Sequence, residues 1–199
     1  MTKIYLVRHG ETAWNQAKRY QGQTDIPLTD RGRQQAKRVA ERLAGAGASF
    51  LISSDLVRAL DTAAPIGQKL QLPVVSCPLW RERYYGRWEG LTRAEIQKLY
   101  PEEWQQHQEE PLLAAPGGGE ALAELRERSI KALDWVITEY RGQIGIVVSH
   151  GGLLRALLAW IAGRVQPLYT LDNGGISIVQ GSSLNDIALI SVNDVSHLA

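Results

Sequence analysis

The sequence predicts an α/β fold in which a mainly parallel central sheet carries helices on both faces, a three-layer sandwich. Three observations support that expectation. Short apolar runs rich in β-branched residues alternate with helix-length amphipathic stretches, the pattern of parallel strands joined by crossover helices. The run at 144–148 is apolar throughout, as a strand buried on both faces requires. No Pro/Gly/Ser-rich linker, charge run or internal repeat divides the 199 residues, so a single domain is expected over 1–199.

Residues 3–7 read as the first strand, followed by a polar loop. A helix then starts near Thr29 or Asp30, either of which could cap it. Ala36, Val39, Ala40 and Leu43 form its apolar face, and Gly45 and Gly47 end it. Residues 50–53 are a second strand. The helix after Asp55 carries Leu56, Ala59, Ala63, Ile66 and Leu70, with Pro65 expected to kink or divide it. Residues 73–77 form a third strand, short enough to be an edge. A polar helical stretch over 92–110 is expected to split at Pro101, and the turn Pro116-Gly117-Gly118-Gly119 leads into a long helix over about 120–141. The strand 144–148 and the buried helix 153–161 follow. Strands at 175–179 and 187–192 suggest a hairpin or two sheet edges.

Composition narrows the partners. The chain is 44% hydrophobic and 22% charged with a formal charge of +1, which argues against nucleic acid or an anionic membrane surface as the main partner. No signal-peptide pattern or bilayer-length apolar run is visible, so a cytoplasmic location is expected. The single cysteine, Cys77, reads as structural. The histidines at 9, 107, 150 and 197 lack the local spacing of a metal site, so neither metal nor cofactor is expected.

Placed on these elements, five residues gather. Arg8 and His9 follow the first strand, Arg58 lies in the helical turn after the second, Glu82 follows the third, and His150 ends the strand at 144–148. Carboxyl ends of parallel strands share one side of a sheet, where α/β proteins open their binding crevice. Two arginines and two histidines around one point repel each other unless an anion lies between them, and phosphate fits that role. Arg8, Arg58 and a protonated His150 would hold the phosphoryl oxygens. A neutral His9, its pKa lowered by the neighbouring cations and its Nδ1–H given to a backbone carbonyl, would attack phosphorus through Nε2. Glu82 is the one acid in the set. It could protonate the leaving oxygen and later deprotonate the attacking water.

The run Arg8-His9-Gly10-Glu11-Thr12 with Asn15, Gln21-Gly22, Pro27-Leu28-Thr29 and Gly32 resembles the opening signature of the histidine phosphatase superfamily. The likeness continues through Ser53-Ser54-Asp55-Leu56, Arg58-Ala59, Thr62-Ala63, Glu82, Gly86, Glu89-Gly90, Gly119-Glu120 and Ser149-His150-Gly151-Gly152. The resemblance implies a phosphoglycerate mutase-like fold, His9 as the phosphorylated nucleophile, Glu82 as proton donor, and Arg8, Arg58 and His150 as phosphoryl ligands. It also places Asn15, Gln21, Gly22 and Gly151 near the transferred group. Glu82-Arg83-Tyr84-Tyr85-Gly86 is similar to the mutase form of the acid loop, which implies substrate contact by Tyr85. Against a mutase, the segment between Gly90 and Gly119 is short and lacks the adjacent arginine pair that holds the substrate carboxylate in mutases.

A metal-independent phosphatase of small phosphorylated metabolites is therefore expected. Phosphoserine, phosphoglycerates, α-ribazole phosphate and sugar phosphates are the candidate substrates that the resemblance implies. A cofactor-dependent mutase is the alternative, and a non-catalytic phospho-ligand-binding protein the second; relatives of the latter kind lose the nucleophile or the acid, and both are present here. Trp80, Trp88, Tyr100 and Trp104 either wall the pocket over His9 or fill a core. The segment 192–198 resembles tails of small phosphatases of this group, phosphoserine phosphatases among them, and either reaches the pocket or ends free of it. The edge at 73–77 allows a homodimer as well as a monomer.

Overall fold

The computed structural model describes residues 1–165 and 169–199. Six strands form one sheet: β1 (Thr2–Arg8), β2 (Phe50–Ser53), β3 (Val74–Ser76), β4 (Ile144–Ser149), β5 (Ile176–Gly181) and β6 (Ala188–Asp194), in the spatial order β3-β2-β4-β1-β5-β6. The four strands from β3 to β1 are parallel. β5 and β6 are antiparallel to their neighbours. The expected three-layer α/β sandwich is therefore present, with β3 at one edge and β6 at the other.

The period-two alternation of strand side chains divides the core into two layers. Ile4, Leu6, Ile52 and Val147 face α6 (Leu122–Glu139) and α7 (Gly151–Ile161). Val7, Leu51, Ile146 and Val148 face α2 (Asp30–Leu43) and α3 (Val57–Leu70). The short α1 (Ala13–Gln16) follows the loop after β1, and α4 (Arg93–Leu99) and α5 (Pro101–Glu109) form an outlying pair.

Local chemistry explains most boundaries. Thr29 caps α2 by accepting from Gly32 N–H, and Pro101 opens α5 as expected. Three expectations change in detail. Pro65 does not divide α3, which runs unbroken to Leu70. α7 starts at Gly151 rather than 153, because the chain turns helical immediately after His150. β5 lies inside the sheet, paired with both β1 and β6, so only β6 is exposed at that edge. No helix among the described residues is long and apolar enough to cross a membrane.

Candidate active site

Register sets the site. β1 pairs with β4 so that Arg8 lies opposite Ser149, and the next residues, His9 and His150, come side by side with ring centroids 5.1 Å apart. Arg58 enters from the first turn of α3, where it is fully buried. Its Nη1 and Nη2 donate to the carbonyls of Thr24 and Gly22 at 2.9 and 2.6 Å. Glu82 arrives from the edge strand through a turn anchored by buried Trp80, whose carbonyl accepts from Ser149 Oγ at 2.7 Å. These ends enclose a cavity of about 250 Å³ at the carboxyl side of the sheet.

His9 is buried, and its Nδ1 lies 2.7 Å from the Gly10 carbonyl oxygen. A carbonyl only accepts, so Nδ1 carries the proton and Nε2 keeps a free lone pair. Burial, then Arg58 and Arg8, holds the His9 pKa well below the ordinary histidine value. The nucleophilic tautomer is thus the one this pocket favours near neutral pH. Burial, followed by Arg155, lowers the Arg8 guanidinium to about 10.

The imidazolium expected at His150 runs against the surroundings of the ring. His150 lies beneath His9 rather than on the cavity wall, with Nε2 2.8 Å from Ser54 Oγ, and burial and Arg58 hold its pKa well below the usual value. These surroundings favour its neutral form, and a bound dianion would offset the arginines. Among the buried side-chain nitrogens without a protein partner, three belong to these residues: Arg8 Nε, Arg58 Nε and His150 Nδ1. Leaving such a group unsatisfied costs about 1–3 kcal/mol, more when charged.

Glu82 sits at the amino end of α7. Its Oε2 accepts from Gly152 N–H at 2.9 Å, while Oε1 accepts from Leu153 N–H at 3.0 Å and Arg83 N–H at 2.8 Å. Oε1 has both lone pairs engaged, whereas Oε2 accepts one bond and keeps further acceptor capacity. Gly152 permits this approach, since a Cβ there would overlap Glu82 Oε1.

Asn15, Gln21, Gly22, Tyr85 and Gly151 line the same cavity as Arg8, His9, Arg58 and Glu82, while His150 lies buried beside it against His9. Thr12 Oγ1 donates to Gln21 Oε1 at 2.8 Å or to Asn15 Oδ1 at 3.1 Å, tying both to the loop after β1. Gly22 has φ +55° and lies against the Glu89 side chain, a combination that requires glycine. The tryptophan question resolves towards packing. Trp80 and Trp88 are fully buried and Trp88 stacks on Trp104 at 5.7 Å, whereas the aromatic rings on the cavity wall are those of Tyr20 and Tyr85. The chain end does not line the cavity; His197 donates instead to the Gly174 carbonyl at 3.0 Å.

Lys18, Arg19 and Tyr20 also line the cavity without having been anticipated, and two further residues stand out. Arg155 lines the cavity one helical turn beyond Gly151, and i+4 spacing on a helix starting at the site was the signal for it. Asn173 donates to the His9 carbonyl at 3.0 Å, the Gly10 carbonyl at 3.3 Å and Asn15 Oδ1 at 3.1 Å. It precedes β5, and only the antiparallel pairing of β5 with β1 returns it to the end of β1.

The model of the histidine phosphatase superfamily (branch 1) matches residues 4–194. The chain belongs to the histidine phosphatase superfamily. This histidine phosphatase is 39% identical over 204 residues to a metal-independent phosphoserine phosphatase of Arabidopsis thaliana, covering all of this chain and 84% of that protein. It is 37% identical over 211 residues to a probable phosphoglycerate mutase, GpmB, of Proteus mirabilis, covering 100% and 95%. Among solved structures, Bacillus stearothermophilus YhfR superposes with a TM-score of 0.91 at 30% identity, covering both chains completely.

Proposed function

We propose that this histidine phosphatase is a metal-independent phosphomonoesterase of small phosphorylated metabolites that works through a phosphohistidine on His9. The observation that carries the reading is the trio of partnerless buried nitrogens, Arg8 Nε, Arg58 Nε and His150 Nδ1, grouped around a histidine whose tautomer leaves Nε2 unprotonated. Phosphoryl oxygens would satisfy all three, and their charge would offset two buried guanidinium groups.

In the first step Nε2 forms a bond to phosphorus as the P–O ester bond breaks, and Glu82 Oε2 gives its proton to the departing alkoxide. Nδ1–H stays on the Gly10 carbonyl and supports the positive charge that develops on the ring. In the second step water attacks the phosphohistidine, its proton passes to Glu82, and neutral His9 and inorganic phosphate are restored. The name of the Arabidopsis relative supports metal independence, and phosphoserine in that name supports a small-metabolite substrate. The Proteus relative keeps a mutase reading in view. The missing arginine pair between Gly90 and Gly119 weighs against it.

Incubation with p-nitrophenyl phosphate in excess chelator is expected to give turnover, with an acid-labile phosphate trapped on His9. Turnover that survives His9→Ala, or that chelator abolishes, would overturn the mechanism. Interconversion of phosphoglycerates only when 2,3-bisphosphoglycerate is added would select the mutase.

A further inference from the structure

Arg155 stands apart from the other arginines near the site. Arg58 bonds two carbonyls, Arg83 donates from Nε and Nη2 to the carbonyls of Glu120 and Ala114, and Arg81 and Arg128 pair with Asp55 and Glu120. Among the described residues Arg155 has neither a hydrogen bond nor an ion pair. Its charge is nonetheless close to the reaction centre. Both Arg155 Nη1 and Arg8 Nε lie within 3.5 Å of the point where a Cβ on Gly151 would project.

Arg155 also faces a second cavity, of about 200 Å³, which adjoins the first across Tyr85 and Arg155. Arg83 and His107 add polar groups to its wall, and Pro111, Leu122 and Leu125 make the remainder apolar. His107 Nδ1 is buried without a partner. Arg8, His9, Arg58 and Glu82 belong to the first cavity only. Glu82 is held by Gly152, and Gly152 lines the second cavity, so an alcohol protonated by Glu82 has its carbon skeleton directed past Tyr85 towards Arg155. A short, part-apolar chamber with a free guanidinium at its entrance suits a small leaving group carrying an anion. One planar fork of N–H donors matches the two oxygens of a carboxylate. A second phosphate dianion would call for further cations on that wall, where Arg83 already donates to two carbonyls and His107 is a poor source, because burial and then Arg83 lower its pKa; Lys18 and Arg19 line the first cavity only.

We propose that Arg155 is the specificity residue of this pocket and that it holds a carboxylate on the leaving alcohol of the phosphomonoester. The proposal rests on the phosphatase reading above, and it selects within that reading carboxylated phosphoesters over neutral sugar or polyol phosphates.

The test compares kcat/KM for O-phosphoserine and 3-phosphoglycerate with glycerol 3-phosphate and p-nitrophenyl phosphate, in the wild type, Arg155→Met and Arg155→Lys. The wild type is expected to prefer the carboxylated esters to glycerol 3-phosphate by about tenfold or more, the worth of one charge-assisted hydrogen bond. Arg155→Met should collapse that ratio, chiefly through KM, and Arg155→Lys should retain part of it. Equal losses on all four substrates would make Arg155 a third phosphoryl clamp and overturn the proposal. A wild type without the preference would overturn it as well. Calorimetric binding of O-phosphoserine to His9→Ala and to His9→Ala/Arg155→Met reads the same contrast without turnover, and an unchanged affinity counts against the subsite. Failure of the phosphatase reading is separately visible as p-nitrophenyl phosphate turnover that is absent or independent of His9.

Discussion

His9, the nucleophile of the proposed mechanism, shows how much of a side chain's chemistry is set by its neighbours. Its tautomer is set by Gly10 O, and the same carbonyl is steadied by Asn173 Nδ2. Asn173→Ala is therefore expected to lower kcat about 10- to 100-fold with little change in KM, since misplacement of a nucleophile costs rate more than binding. The His9 imidazole proton resonance should move with it; an unmoved resonance and full kcat would remove Asn173 from any positioning role. The pH profile follows from the same residue. Attack needs neutral His9, and burial with Arg58 and Arg8 depresses its pKa. The acid limb of kcat/KM should accordingly fall below pH 6.5, and a limb above that value would contradict the pocket described. Glu82→Gln keeps the acceptor geometry but removes the proton, so its loss should be deeper for alkyl phosphates than for activated aryl phosphates. At this scale the sequence was legible where chemistry is local. Arg8, His9 and Glu82 follow apolar strands directly, whereas Asn173 owes its place to pairing across the sheet.

The first turn of α7 is the element that joins the two halves of the reaction. It begins one residue after β4, and its amide groups at Gly152 and Leu153 hold the Glu82 carboxyl where the helix dipole is positive. The Gly151-Gly152 pair is thus a packing requirement as well as a turn. Gly152→Ala should favour the helix intrinsically by about 0.5–1 kcal/mol, yet its Cβ must displace Glu82. We expect normal helical content but the same leaving-group dependence as Glu82→Gln; wild-type rates on alkyl phosphates would show that Glu82 tolerates the shift. The outlying α4 and α5 perform a different task. Trp88 and Trp104 stack, and Trp88 Nε1 donates to Glu103 Oε2 at 3.1 Å, which fixes the segment bearing His107 over the second cavity. The helical periodicity of 92–110 was readable in the sequence. What its aromatic residues packed against was not, because periodicity gives a face without its partner.

Across the whole molecule, two apolar layers carry a site that is itself unfavourable to bury. The fully buried His9 and His150 have pKa values lowered chiefly by burial, so below the ordinary histidine value of about 6.5 the unfolded chain takes up protons before the folded one does. Stability should then decline as pH falls from about 6.5 towards the folded-state values, by up to ~1.4 kcal/mol per pH unit for each histidine. Thermal unfolding at pH 7 and pH 5.5 checks this, with inorganic phosphate expected to restore stability at the lower pH by binding the folded state; a melting temperature insensitive to both would show that neither histidine is held neutral. By itself the sequence determined the α/β alternation, the placing of Arg8, His9, Arg58, Glu82 and His150 at or just beyond the ends of four strands, and the family signature, because each depends on periodicity or on residues adjacent to one element. Only the tertiary structure decided that His150 is buried beside His9 with its Nδ1 left open, that Asn173 reaches the carbonyls of His9 and Gly10, and that Arg155 opens onto a second chamber. The physical reason is that desolvation and long-range pairing belong to the packed sheet: a residue's charge state and free hydrogen-bonding capacity are set by what the other strands and helices bring against it.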